Sequence, residues 1–199
     1  MPEVKSFDRK TNFIKWLAIV TMLIDHIGAY LVPESVLLRL IGRISFPCFL
    51  YTTVQGTKRT SNFPRYIIQL LLLGFVSMPV TDQTFNILFS LALFALSMKD
   101  KRLILPCFLL SYFVEYSLYG FILGWTIYFI SEENKWIGLA GFVLLQFSRF
   151  PSIQFYAILA LIPIITDFRP KLIRVPKLFG YAFYPLHLWI LRLLQSFLI

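Results

Sequence analysis

Acidic residues are scarce in this chain. Ten Asp and Glu stand against nineteen Lys and Arg, and charged residues make up only 15% of 199 positions. A soluble domain carries about 25%. With 58% apolar residues and a mean hydropathy of +0.73, that shortage excludes a soluble domain of useful size. Cysteine is nearly missing too. Cys48 and Cys107 both lie in apolar runs and read as small core residues, so no disulfide is indicated. The two histidines and scattered carboxylates have no spacing that asks for a metal, and none is expected. There is no glycine-rich phosphate loop, no Ser/His/Asp constellation, no internal repeat and no low-complexity segment. The net charge of +9 raises the question of a nucleic-acid partner. The basic residues sit in short loops between apolar runs, however, so membrane topology explains them and no nucleic acid is expected. The segment Met1 to Asn12 is polar and basic, and no small-residue cleavage site follows the first apolar run, which therefore reads as a retained helix.

What the chain has in abundance is apolar runs. The first extends from Phe13 to Tyr30, behind Lys5, Arg9, Lys10 and Lys15. The following helices are expected over Val36 to Gln55, Tyr66 to Met78 and Thr84 to Ser97. The stretch from Leu103 to Ile130 is too long for one span and is expected to split at a turn near Ser117. Further helices are expected over Trp136 to Phe147, Ile153 to Ile165 and Leu178 to Phe197. The fold class is all-α: a polytopic integral membrane bundle of eight to nine helices in a single domain, residues 1–199, with the N-terminus cytoplasmic. Of the Lys and Arg residues, only Arg39 and Arg149 fall in predicted outer turns, while Arg43 and Arg192 lie within spans. That bias towards one side supports the alternation. Several helices are short of the roughly 20 residues a full span needs, so some are re-entrant or packed inside the bundle.

The first helix carries adjacent Asp25 and His26 inside its apolar run. Ionisable groups in hydrocarbon are costly and mark a functional site by default. At about 100° and 1.5 Å per residue, Lys15 and His26 share one stripe and stand roughly 16 Å apart. A long ligand with a phosphorylated head and a reactive tip would suit that layout. Asp25 points about 100° away from His26, so it needs a partner on another helix. Arg43, Glu115, Asn86 and His187 add polar groups to the same half of the bilayer, with Arg43 to Asp25 or Glu115 as the natural pairing. A structural ion pair and a hydrogen-bonded histidine beside Pro185 account for some of these equally well.

These residues resemble those of the TraX family of bacterial inner-membrane proteins. The matching pieces are Lys15 to Gly28 with Asp25-His26-Ile27-Gly28, then Ile41-Gly42-Arg43-Ile44-Ser45-Phe46-Pro47, then Asn86-Ile87-Leu88-Phe89-Ser90-Leu91. Glu115 through Tyr119-Gly120 and the closing Phe183-Tyr184-Pro185-Leu186-His187-Leu188 follow in the family's order. Gln55-Gly56 stands where the family usually has Glu-Gly, Glu115 replaces an Asp, and Lys15 replaces the Arg typical of the wider transmembrane acyltransferase superfamily.

The resemblance implies an acetyltransferase of the bacterial cytoplasmic membrane, since the family's namesake is associated with N-acetylation of conjugative pilin. It implies acetyl-CoA as the acyl donor, with Lys15, Arg43 and Asn86 as donor-binding residues. His26 would act as general base, Arg43 or His187 would steady the oxyanion, and Asp25 or Glu115 would hold the cation. Direct transfer is preferred over a covalent route through His26 or Cys48. The expected partners are the lipid bilayer, an acyl-CoA and an extracytoplasmic acceptor (pilin, glycopolymer, lipid or peptide); a homo-oligomer is compatible with the sequence. The competing reading is a proton-coupled transporter using Asp25, His26 and Glu115, and a membrane scaffold held by ion pairs is third.

Overall fold

The computed structural model describes residues 7–83 and 85–198, with Lys177 and Leu178 described by backbone alone. Lys5 and Thr84, both used in the sequence reading, lie outside the described residues. All regular structure among the described residues is helical. In chain order the α-helices are α1 (Arg9–Tyr30), α2 (Val36–Gly42), α3 (Ser45–Arg59), α4 (Phe63–Ser77), α5 (Ile87–Lys99), α6 (Ile104–Leu110), α7 (Ser117–Glu132), α8 (Lys135–Phe147), α9 (Leu161–Ile165) and α10 (Lys177–Leu198). Three segments are long and apolar enough to cross a bilayer: Arg9–Tyr30, Val36–Arg59 and Phe63–Val80. The shorter apolar helices Ile87–Lys99, Lys135–Phe147 and Ile153–Ile165 join them in one bundle. This is a membrane protein.

Polar side chains set where helices start. Asp8 caps α1, Asn62 caps α4, Asn86 caps α5 and Asn134 caps α8, each accepting a backbone N–H of the first turn. The single helix expected over Val36 to Gln55 is two helices. Pro47 supplies no backbone N–H to the turn before it, so the ladder breaks at Arg43 and Ile44 and restarts at Ser45. The expected split near Ser117 is present, and Tyr116 and Ser117 both adopt positive φ there. The segment expected as one helix over Ile153 to Ile165 is a 3-10 stretch over Ile153–Ala160 that passes into α9.

α1 and α3 form the centre of the bundle. α1 packs against α2, α3 and α10; α3 packs against α1, α5 and α7. Small residues bring them close: Ala18 is fully buried, and Ser45 Oγ donates to its carbonyl oxygen at 3.0 Å. Ile14, Cys48, Val54, Phe94 and Leu123 fill the core around this contact. α4 with α10 makes one flank, and α7 with α8 the other.

The basic end is stitched by polar side chains. Asn12 clamps the 173–175 segment, donating to Ile173 O at 3.1 Å and accepting from Val175 N at 2.9 Å. Lys10 reaches Ile164 O at 2.8 Å. Asp8 pairs with Arg59 at 2.5 Å, while Gln55 and Lys58 both bond to Glu132. Partial burial of Asp8 opposes its ionisation. Hydrogen bonds from Thr11 and Arg59, with the charge of Arg59, outweigh that and hold the carboxyl at about 2, below its ordinary 3.8.

A depressed carboxylate pKa contributes stability that is complete above the unfolded value and is lost as pH falls through the folded one. Asp8→Asn is therefore expected to lower stability in detergent at neutral pH. The loss is about 1 kcal/mol, given that Arg59 is 43% exposed and the pair is screened. Thermal unfolding followed from pH 7 downwards should show the gap from wild type closing between about pH 4 and pH 2.

Candidate functional site

Asp25 is buried in α1 and held by two guanidinium groups. Arg43 Nη2 lies 2.5 Å from Oδ1 and Arg39 Nη1 lies 2.9 Å from Oδ2. Such a cluster survives in apolar surroundings only if every charge is paired and its remaining donors are satisfied. For Arg43 they are: Nε donates to Arg39 O at 3.2 Å and Nη1 donates to Gln154 Oε1 at 3.2 Å. Arg39 is one-third exposed, and its Nη1 also donates to Asp25 O at 3.1 Å. Gln154 Nε2 then donates to the Tyr119 hydroxyl at 3.2 Å, and that hydroxyl donates to Gln146 Oε1 at 3.0 Å. Arg149 covers the Tyr119 ring at 4.5 Å. Gly42 makes the cluster possible: a Cβ there would fall 2.1 Å from Asp25 Oδ1.

His26 faces away from this cluster, towards α10. Its Nδ1 lies 2.7 Å from Nε2 of His187, whose own Nδ1 lies 2.6 Å from Phe183 O. A carbonyl oxygen only accepts, so His187 Nδ1 carries a hydrogen and its Nε2 is the acceptor in the neutral ring. The hydrogen between the rings therefore belongs to His26 Nδ1, and the lone pair of His26 is on Nε2. His187 orients His26, as second carboxylates or carbonyls orient catalytic histidines elsewhere.

Three adjoining cavities follow α1 towards this histidine. The first, about 800 Å³, opens at the basic end between Lys15, Arg59, Arg65, Asn62, Tyr66 and Tyr181. The second, about 250 Å³, shares Lys15, Gly56, Arg59 and Tyr66 with it and continues between apolar residues such as Ile19, Phe49, Leu70 and Leu91. The third, about 30 Å³, shares Met22, Ile87 and Tyr184 with the second and is walled by Asp25, His26, Ser45, Glu115 and Tyr116. Lys15, Ile19, Met22 and His26 form one stripe of the unbroken helix α1, the face on which the cation and the imidazole were expected.

Each predicted site residue thus has a place. Asp25, His26 and Glu115 meet at the small cavity, with His187 behind His26 and Lys15 at the other end of the stripe. Gly180 leaves room for the Lys15 ammonium, since a Cβ there would lie 2.6 Å from Nζ. Glu115 pairs with no arginine among the described residues; its Oε2 accepts from Ile87 N at 2.9 Å, at the start of α5. Two residues are not where the expectation needs them. Arg43 has Nε, Nη1 and Nη2 committed to protein acceptors and lines none of these cavities, so it anchors Asp25. Asn86 is fully buried, donating to Gly74 O at 2.9 Å and accepting from Leu88 N, and joins α4 to α5. Cys48 is sealed in the core, away from the cavities.

The sequence reading missed Arg39, which it left in an outer turn, and the Gln154–Tyr119–Gln146 chain, whose residues carry no charge to draw notice. The regular spacing of α2 does contain a signal for Arg39: it precedes Arg43 by four residues and so lies on the same helical face.

A bundle of apolar helices with a paired His26 and His187 beside a run of cavities that opens between basic residues defines the class: a polytopic helical membrane protein. The family model described as TraX protein matches residues 10–195, and the chain belongs to that family. It is 25% identical to the "Probable fimbrial assembly protein FimC, serogroup H1" of Dichelobacter nodosus, over 98% of this chain and 99% of that protein. A 45-residue stretch is 51% identical to an uncharacterized protein of Rickettsia prowazekii (strain Madrid E), covering 21% of this chain and 18% of that one. No solved structure matches.

Removing one member of a buried ion cluster strands the other charge, at a cost of about 3–5 kcal/mol. Asp25→Asn and Arg43→Met are each expected to destabilise the protein by that order in detergent unfolding. The double variant is expected to lose less than the sum, by about 1–3 kcal/mol. Strict additivity would show that the pair does not act as a unit.

Proposed function

We propose that this protein is a membrane-embedded acetyltransferase with His26 as its general base. It would move an acetyl group from cytoplasmic acetyl-CoA to an amine or hydroxyl outside the bacterial cytoplasmic membrane. The observation that carries the proposal is the run of cavities along the Lys15–His26 stripe. Its mouth has the chemistry for a phosphorylated head: Lys15, Arg59 and Arg65 would take the phosphates. Its neck is mostly apolar, as the arm requires, and the adjoining small cavity has an imidazole in its wall. Acetyl-CoA would supply a reactive thioester and be consumed as a substrate.

The chain's own residues would then do three things. His26 Nε2 accepts the proton of the attacking amine or hydroxyl, while His187 keeps the ring in the tautomer that leaves Nε2 basic. Asp25, locked by Arg39 and Arg43, fixes the rotation of α1. The apolar neck keeps bulk water from the thioester. The excess of Lys and Arg at the mouth supports a cytoplasmic position for that end and for the N-terminus. The fimbrial assembly description of the Dichelobacter protein favours a pilin-type acceptor at the cell surface. A proton-coupled transporter would need Asp25 to exchange protons with His26, but Asp25 is held as a carboxylate by two guanidinium groups.

His26→Ala is expected to reduce transfer of label from acetyl-CoA in membrane vesicles by about 100-fold or more, with normal accumulation of the protein. Near-wild-type transfer by this variant would eliminate the proposed base. Arg65→Ala is expected to raise KM for acetyl-CoA about tenfold, equivalent to about 1.4 kcal/mol of binding, with kcat nearly unchanged.

A further inference from the structure

The cavity beside His26 has two phenols in its wall, Tyr116 and Tyr184. Buried tyrosine hydroxyls normally find a hydrogen-bond partner. Those of Tyr30 and Tyr119 do so, with Asp82 and Gln146. The hydroxyls of Tyr116 and Tyr184 make no hydrogen bond among the described residues. Two donors are thus left open on the wall of the space that holds the proposed base.

Both rings are held in place. Tyr116 adopts a left-handed backbone conformation, φ 64, which is unfavourable for a bulky side chain and survives where the surroundings over-determine it. Here they do. Its ring stacks on Phe46 with centroids 3.9 Å apart and planes 10° apart. Its carbonyl accepts from Gly120 N at 2.9 Å, and a Cβ on Gly120 would fall 2.8 Å from Tyr116 Cβ. Tyr184 is 7% exposed and lines both the apolar neck and the small cavity, so it stands where one meets the other. Its ring centroid lies 6.5 Å from that of His26 and 5.9 Å from that of His187.

We propose that Tyr116 and Tyr184 are catalytic residues that form the oxyanion hole, donating their phenolic hydrogens to the thioester carbonyl oxygen as negative charge grows on it. This rests on the acetyltransferase reading. The other donors considered for that role are committed: Arg43 to Asp25, Gln154 and Arg39, and His187 to Phe183 and His26. The acceptor nitrogen or oxygen bonds to the carbonyl carbon as His26 Nε2 takes its proton. The carbonyl electron pair moves onto oxygen between the two hydroxyls. It then returns to re-form the C=O bond as the C–S bond breaks, and the leaving thiolate takes the proton from His26. No oxidant or reductant is required.

The test uses the full-length protein in vesicles from the cells that express it, with radiolabelled acetyl-CoA and the membrane's own acceptors. Tyr116→Phe and Tyr184→Phe are each expected to lower kcat about 100-fold, with KM for acetyl-CoA within about twofold. Both variants should keep or raise the unfolding temperature in detergent, because each removes an unmade hydrogen bond while preserving the ring. Tyr112→Phe, at an exposed phenol outside the cavity, is the control and should match wild type. A kcat within about threefold of wild type in either variant overturns the proposal, as does a fall in activity that tracks a fall in stability. Absence of transfer by the wild-type protein would instead remove the acetyltransferase reading, so the two failures are distinct.

Discussion

Asp25, Arg39 and Arg43 put three formal charges into a bundle of apolar helices, and the geometry around them follows from the need to satisfy all three. Asp25 Oδ1 and Oδ2 each take one guanidinium. For those groups to reach α1, α2 must lie almost against it, and the residues at the contact are Gly28 and Gly42. A side chain at Gly42 would occupy the place of the Asp25 carboxylate itself. Arg43 also sits at the break between α2 and α3, where a turn frees its side chain to reach both Asp25 and Gln154. Through Gln154 and Tyr119 the cluster extends to α7 and α8, so one ion cluster ties together both halves of the chain.

The same cluster sets the rotation of α1. Consecutive residues of a helix point about 100° apart, so fixing Asp25 against α2 necessarily turns His26 elsewhere. The direction left to it is α10, where His187 receives it. Four residues back on that face is Met22, then Ile19, then Lys15, and all of them line cavities. The carboxylate therefore contributes to the histidine site without touching the histidine. Its contribution is mechanical: it decides which face of the helix is presented to the cavities.

Much of this was legible in the sequence, and the reasons for the remainder are physical. Helix periodicity placed Lys15 and His26 on one stripe and required a separate partner for Asp25, because both inferences depend only on local geometry within one unbroken helix. The all-helical bundle and the split near Ser117 followed from apolar length and from polar punctuation. The break at Arg43 was readable from Pro47 but was passed over in a strongly apolar run. Arg43 and Asn86 were expected at the ligand because charge and polarity draw attention. Polarity alone does not distinguish a group used for binding from one already used by the backbone or by a neighbouring charge, and that distinction depends on contacts between distant helices. Asn86 is consumed by Gly74 and Leu88, Arg43 by Asp25, Gln154 and Arg39. Nothing in the sequence singles out Tyr116 and Tyr184, because tyrosines in a membrane chain are ordinarily interfacial.

That contrast sharpens how a buried site in a membrane bundle is recognised. In the hydrocarbon region an unsatisfied polar group is costly, so the fold consumes nearly all its donors and acceptors internally. The strongest charges here are the most completely consumed, and so belong to the framework. Beside the small cavity, the groups that make no hydrogen bond among the described residues are Nε2 of His26 and the hydroxyls of Tyr116 and Tyr184, and the proposed reaction would use these. These are weaker hydrogen-bonding groups than a carboxylate or a guanidinium, and leaving them open costs the fold correspondingly less. A membrane protein that must keep a site ready for a ligand therefore has a physical reason to build it from neutral rings, and to place its ion cluster one helical step away.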